Sequence, residues 1–157
     1  MADKRSAGIV LFRQRSGAAV EVLLGHMGGP FWARRDTGAW SIPKGEYTAD
    51  EEPRAAARRE FEEELGLPMP AGDLLELGVA RQSAGKVVTA WALRGDLDPD
   101  RVVPGTFTMQ WPRGSGQMRE FPEIDRVAWF SLDEAKEKIV TGQRVLLDRL
   151  ATRLAVP

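Results

Sequence analysis

The chain has 157 residues, of which 43% are hydrophobic and 29% charged, a balance that supports a packed core and argues against general disorder. Lys and Arg (22) nearly cancel Asp and Glu (23), so at a net charge of −1 no global field draws the chain to nucleic acid or to an anionic membrane. With no cysteine and one histidine, His26, it lacks disulfides, thiolate or multi-histidine metal sites and a cysteine nucleophile, and has little scope for a serine–histidine triad.

The first apolar run is six residues long and ends at Arg13, too short for a signal peptide or a membrane span, so the expected location is cytoplasmic. “SAGIVLFRQ” (6–14) and “AAVEVLLGHM” (18–27) are apolar and β-branched and predict a hairpin, with His26 a structural residue at its end. “GGPFWARRDTG” (28–38) reads as a long loop, and “AWSIPKG” (39–45) as a short strand broken by Pro43. A helix then follows, with Asp50 as N-cap, Glu51 and Glu52 in the first turn, Pro53 at the third helical position and Gly66 as the stop. Residues 73–82 and 85–96 predict a second strand pair. The Pro- and Gly-rich stretch 97–122 predicts a mobile loop, and 125–132 a last strand. Ser131 and Glu134 form a capping-box pattern, and the last helix would bury Val145, Leu146, Leu150 and Leu154. Trp40, Trp91 and Trp129 fall in strand-like stretches and read as core. No repeat or linker divides the chain, which predicts one domain over 1–157 with helices against a mixed sheet.

The informative stretch is “REFEEELG” (59–66). At about 100° per residue, Glu60, Glu63 and Glu64 share one helix face, beside an apolar stripe of Ala57, Phe61 and Leu65, while Glu62 points toward solvent. A solvated face is the ordinary reading of such a charge run. Against it, Glu60 and Glu64 repel as an i,i+4 pair, and Arg58 and Arg59 precede their acidic partners in the weaker orientation.

From Gly45 the chain reads “GEYTADEEPRAAARREFEEELGL”, which fits the Nudix box at Gly45, Glu51, Arg59, Glu60, Phe61, Glu63, Glu64, Gly66 and Leu67. The chain therefore resembles the Nudix hydrolases, and “WSIPKG” and “EIDRVAWFSLDEA” extend the likeness beyond the box. The resemblance implies an α/β fold, the α/β/α sandwich with a mixed central sheet. It also implies that Glu60, Glu63 and Glu64, with the carbonyl of Gly45, hold Mg²⁺ or Mn²⁺, and that Arg59 and Glu51 form a salt bridge supporting them. The general base would be a box glutamate, with Glu64 favoured as base or ligand, or a distal one, Glu123 ahead of Glu120.

Lys44 would neutralise a phosphate or remain an exposed lysine. Arg34 and Arg35, in the loop with Phe31 and Trp32, would meet a polyphosphate and stack on a base. The implied reaction is metal-dependent hydrolysis of a phosphoanhydride in a nucleoside diphosphate linked to another group. A nucleoside triphosphate or dinucleoside polyphosphate comes first, since “WSIPKGE” resembles members acting on those. ADP-ribose or a nucleotide sugar is the alternative. The subfamily tyrosine or proline beyond the box is missing from “QSAG” (82–85), and the coenzyme A signature is absent. A non-catalytic nucleotide-binding module is the reading from another class, and the intact box stands against it. The expected partner is thus a small molecule, with no membrane or nucleic acid, and a homodimer is allowed but not required.

Overall fold

The computed structural model describes residues 4–155. Strand β1 (Lys4–Arg13) is its axis, with Ala7 to Phe12 buried without interruption. Such a run belongs to a strand covered on both faces. Ala7, Ile9 and Leu11 join one core with Leu23, Trp91 and Leu93, while Val10 and Phe12 join the other with Val22, Leu24 and Ala90. That alternation is the period of two expected of a strand.

The expected hairpin exists only at its turn. Phe12 and Arg13 of β1 face Val22 and Glu21 of β2 (Glu21–Met27), antiparallel. Strand β2 then continues alongside β9 (Ile124–Ser131) and the short β3 (Trp40–Ser41), while β4 (Lys44–Glu46) takes the other half of β1, placing Ser6, Ala7 and Gly8 opposite Glu46, Gly45 and Lys44. Pro43 breaks the stretch 39–45 into β3, which pairs with β2, and β4, which pairs with β1, as expected. On its opposite edge β1 runs parallel to β6 (Lys86–Arg94), which pairs antiparallel with β5 (Leu74–Arg81). One parallel and several antiparallel pairings make a mixed seven-stranded sheet.

Helix α1 (Pro53–Leu65) lays Ala56, Ala57, Phe61 and Leu65 on one face of this sheet. Helices α2 (Leu132–Lys138) and α3 (Arg144–Ala155) cover the other through Ala135, Leu146, Leu147 and Leu150. The result is the expected sandwich of helices around a sheet. In α3, Leu147 takes the place predicted for Val145, which is exposed; Leu146, Leu147, Leu150 and Leu154 follow helical spacing and Val145 does not. The capping box of α2 forms, with the Ser131 hydroxyl accepting from the Glu134 amide at 3.2 Å. Among the described residues no helix is long and apolar enough to cross a membrane.

Two further expectations are corrected. Helix α1 is capped by Glu52, not Asp50, and Pro53 is its first residue. A proline at that position has its φ preset and disfavours helical geometry in the residue before it. Glu52 is accordingly extended, and its carboxylate accepts from the amides of Arg54 and Ala55 at 3.2 and 3.1 Å. Gly66 ends the helix as expected, in the left-handed conformation (φ 65°). Second, the stretch predicted as a mobile loop holds an antiparallel hairpin of β7 (Thr106–Gln110) and β8 (Met118–Pro122). Its first strand, “TFTMQ”, alternates exposed and half-buried side chains.

Phe61, fully buried between α1 and the sheet, is the main anchor of the acidic helix. Phe61→Ala is expected to cost about 3–5 kcal/mol in urea unfolding, whereas Phe61→Leu retains most of the stability.

Candidate functional site

Helix α1 passes beside β4, and between them opens a cleft of about 530 Å³. Glu60, Glu63 and Glu64 line it from the helix, and Lys44 and Gly45 from β4. Glu123, 59 residues or more from these residues in sequence, lines it from the far side of the β7–β8 hairpin. Its position is fixed by backbone: the Glu123 amide donates to Gly105 O and its carbonyl accepts from Gly28 N, each at 2.9 Å. Glu123 thus sits at a clamped joint and not beside a flexible loop.

Arg59 organises the near side. Its Nε and Nη2 donate to the two carboxylate oxygens of Glu51 at 2.7 and 2.8 Å, the paired geometry that suits guanidinium and carboxylate. Its Nη1 donates to Glu60 at 2.8 Å and to Glu63 at 3.1 Å. The hydrogen bond to Glu51 is the largest influence raising the Arg59 pKa, and the same bond pulls that of Glu51 down. Gly45 leaves room for the carboxylate: a Cβ at this position would lie 1.9 Å from Glu60 Oε2 and would displace that side chain.

Glu64 is the most enclosed of the set. Its carboxylate accepts from the Lys44 amide at 3.3 Å, and burial pushes its pKa from 4.5 to about 8. The charges of Glu123 and Glu60 push the same way, and Lys44 opposes them. Burial also raises Glu60, against the pull of Arg59. Carboxylates withdrawn from water beside like charges are expensive to ionise, and a hard cation with oxygen ligands is the partner that chemistry favours. A donor set of carboxylate oxygens fits a hard divalent cation. Among the described residues no three acidic side chains converge as a ready-made cluster. Glu60 and Glu63 are instead paired with Arg59.

A second cavity of about 260 Å³ adjoins the first and shares Lys44, Glu64 and Glu123 with it. Trp32 and Phe107 stand in its wall. Of the residues proposed from sequence for substrate contact, Lys44 and Trp32 therefore lie at the cavities, whereas Arg34 and Arg35 line neither. Arg35 instead lies over the rings of Phe31 (4.2 Å) and Trp32 (5.7 Å). Its carbonyl meets His26 Nε2 at 2.6 Å, while His26 Nδ1 faces Asp125 Oδ1 at 2.9 Å. The fully buried His26 is structural, as expected, and ties the 28–38 loop to β9. Asp36 anchors the end of that loop by accepting from Trp40 Nε1 at 2.9 Å and pairing with Lys138. Glu120, exposed on β8, lines neither cavity.

Glu62 is not a bystander. Its Oε2 accepts from the Met69 amide at 2.9 Å, fastening the chain that leaves the helix. Sequence reasoning also passed over Ser6, Lys86, Thr106 and Phe107, which line the cavities. Only the parallel pairing that sets Lys4 opposite Lys86 brings β6 to this cleft.

A model of the NUDIX domain matches residues 2–150. An RNA pyrophosphohydrolase of Hahella chejuensis (strain KCTC 2396) is 40% identical over 55 residues, a match covering 34% of this chain and 34% of that relative. The alignment thus spans about a third of that protein's length. Among solved structures, a binary complex of the C. elegans Ap4A hydrolase superposes with a TM-score of 0.67 at 22% identity, covering 96% of this chain and 98% of that one. The NUDIX domain of Shewanella oneidensis NrtR complexed with ADP ribose superposes at 0.65 and 16% identity, covering 99% and 90%. At those identities the two superpositions show a shared fold.

The burial of Glu64 has a thermodynamic consequence. A carboxyl whose folded pKa is raised stabilises the fold in its protonated form; that contribution is complete below 4.5 and is lost as pH rises toward 8. The thermal midpoint in EDTA is therefore expected to fall between about pH 5 and 8 by several degrees more in the wild type than in Glu64→Gln.

Proposed function

The chain belongs to the Nudix family, and from that premise we propose that it is a divalent-metal-dependent hydrolase of phosphoanhydride bonds in a nucleoside diphosphate linked to another group. The observation that carries this reading is the meeting of Glu60, Glu63, Glu64 and Glu123 in one cleft with Lys44 beside them. In it, Glu60, Glu63 and Glu64, with the carbonyl of Gly45, hold Mg²⁺ or Mn²⁺. When bound, the cation supplies charge neutralisation at the anhydride oxygens and acidifies a water.

The protein's own residues do the rest. Arg59, held by Glu51, keeps the acidic face from splaying and is a positioning residue. Lys44 faces the substrate's phosphates. Glu64, the most enclosed carboxylate of the cleft, serves either as a ligand or as the base that accepts the proton of the attacking water. Glu123 is the second choice for that role, favoured by its proximity to Glu64 and its fixed backbone. The water oxygen bonds to one phosphorus as the bridging P–O bond breaks. The bridging oxygen leaves with the other phosphorus, giving two phosphate-terminated products.

Nucleoside triphosphates and dinucleoside polyphosphates stand first as substrates, with ADP-ribose or a nucleotide sugar as the alternative. The relatives named above, an RNA pyrophosphohydrolase and an Ap4A hydrolase, support this range. The test is turnover of a phosphoanhydride panel with Mg²⁺ or Mn²⁺ and identification of the products. Glu64→Gln is expected to lower kcat by about 10²–10⁴-fold while retaining the fold by circular dichroism. Unchanged turnover in that variant removes Glu64 from the machinery. No turnover of any compound by the wild type leaves a binding module as the correct reading.

A further inference from the structure

The two adjoining cavities differ in chemistry. In the smaller one, Trp32 comes from the 28–38 loop and Phe107 from β7. Both rings are braced. Phe31 meets Trp32 edge-on at 5.0 Å, and Phe107 lies 6.0 Å from Phe121. Phe107 also closes on the loop that carries Trp32: its Cζ lies 3.0 Å from where a Gly29 Cβ would stand. Ser41 is at this end as well, but its hydroxyl already donates to Ile42 O at 2.8 Å and accepts from Gln143 Nε2 at 3.0 Å. The slot therefore offers two aromatic side chains and no uncommitted hydroxyl, and its charged groups, Lys44, Glu64 and Glu123, are those it shares with the larger cavity.

The larger cavity has no aromatic residue in its lining. Beyond the carboxylates its wall is formed by Ser6 of β1, Thr106 of β7 and Lys86 of β6, a side chain that is exposed. Lys44 and Lys86 are the cations in that lining, one at the junction with the aromatic slot and one in the purely polar cavity. An aromatic wall holds a base by its π face with little regard to identity, and a lysine holds an anion as a point charge.

We propose that the cleft takes one nucleobase between Trp32 and Phe107 and an anionic, base-free phosphate terminus at Lys86. Its substrate class is then the nucleoside 5′-triphosphate, free or at the end of an oligonucleotide, with weak discrimination among bases. A dinucleoside polyphosphate brings its second base to a wall without a ring. ADP-ribose brings a neutral sugar to the lysine. This inference rests on the hydrolase reading for the position of the reacting phosphates.

Steady-state kinetics with Mg²⁺ would compare the four nucleoside triphosphates, a 5′-triphosphorylated oligoribonucleotide, diadenosine tetraphosphate and ADP-ribose. Free or oligonucleotide-borne triphosphate is expected to exceed the last two by about tenfold or more in kcat/KM, with the four bases within about tenfold of one another. Trp32→Leu and Phe107→Leu should each raise KM for nucleotides by about tenfold while leaving KM for inorganic tripolyphosphate unmoved, and Trp32→Phe should restore it. Lys86→Ala should raise KM for both nucleotide and tripolyphosphate with little change in kcat. Calorimetric binding of a methylene-bridged nucleoside triphosphate runs beside these measurements. Binding that Trp32→Leu and Lys86→Ala each weaken, without turnover of any substrate, sustains this inference and overturns the hydrolase reading. A preference for diadenosine tetraphosphate or ADP-ribose, absence of triphosphate binding, or binding indifferent to Trp32→Leu and Lys86→Ala overturns the inference itself.

Discussion

The site depends on one guanidinium. Arg59 gathers Glu51, Glu60 and Glu63, three carboxylates that would otherwise repel one another, and reaches the Glu46 carbonyl at 3.5 Å. Glu51 lies ahead of the helix and Glu46 in β4, so the same group that offsets the helix's negative charge also ties the 46–52 segment to the helix. The buried Ala56, Ala57, Phe61 and Leu65 seat α1 on the sheet, and the tie holds the 46–52 segment against it. A side chain at Gly45 would take the space that the Glu60 carboxylate fills and would push it away from Arg59. The exposed part of this network adds little to stability, as solvent-screened ion pairs seldom do. Its effect is geometric: five donors in a rigid fork hold carboxylates in set directions, which the flexible ammonium of a lysine would not do.

The sheet supplies the second half of the geometry. A central strand normally pairs along its whole length, but one edge of β1 is shared between β4 and β2. The change of partner frees the β3–β4 segment to bend at Pro43 and present Lys44 and Gly45 at the helix. The other edge of β1 is fully occupied by parallel β6, which carries Lys86 to the same cleft from the opposite side. Buried apolar residues on both faces hold this arrangement, so the acidic helix can be crowded with like charge without loosening the frame.

What the chain's sequence reveals follows from how local each feature is. The glutamate face, the Gly66 stop and the Ser131 capping box are encoded within a turn or two of helix, and spacing alone exposes them. The position of Glu52 as cap turned on Pro53, whose geometric demand outranks the usual preference for aspartate. Glu62 was misread because its partner, the Met69 amide, lies beyond the chain reversal at Gly66. The β7–β8 hairpin was hidden by prolines and glycines although “TFTMQ” alternates cleanly. Ser6, Lys86 and Phe107 could not be found by any local rule, since strand pairing and a loop-to-hairpin contact bring them in from distant parts of the chain. Arg34 and Arg35 suit a polyphosphate by their charge and by the aromatic residues beside them, yet those same rings and the bond between its carbonyl and His26 make Arg35 a brace for the loop.

The hairpin gives these separate pieces a common mechanical basis. Thr106 and Phe107 begin it and Glu123 follows its end, so one element carries part of the polar wall, one face of the aromatic slot and the distal carboxylate. The bond from the Glu123 amide to Gly105 closes its base, and the bond from Gly28 to the Glu123 carbonyl fastens that base to the end of β2. Trp32 stands only a few residues beyond Gly28. A displacement of the hairpin would therefore move Glu123 relative to Glu64 and Phe107 relative to Trp32 together. The aromatic slot and the distal carboxylate are not independent: the same two backbone hydrogen bonds fix the element that carries both Phe107 and Glu123.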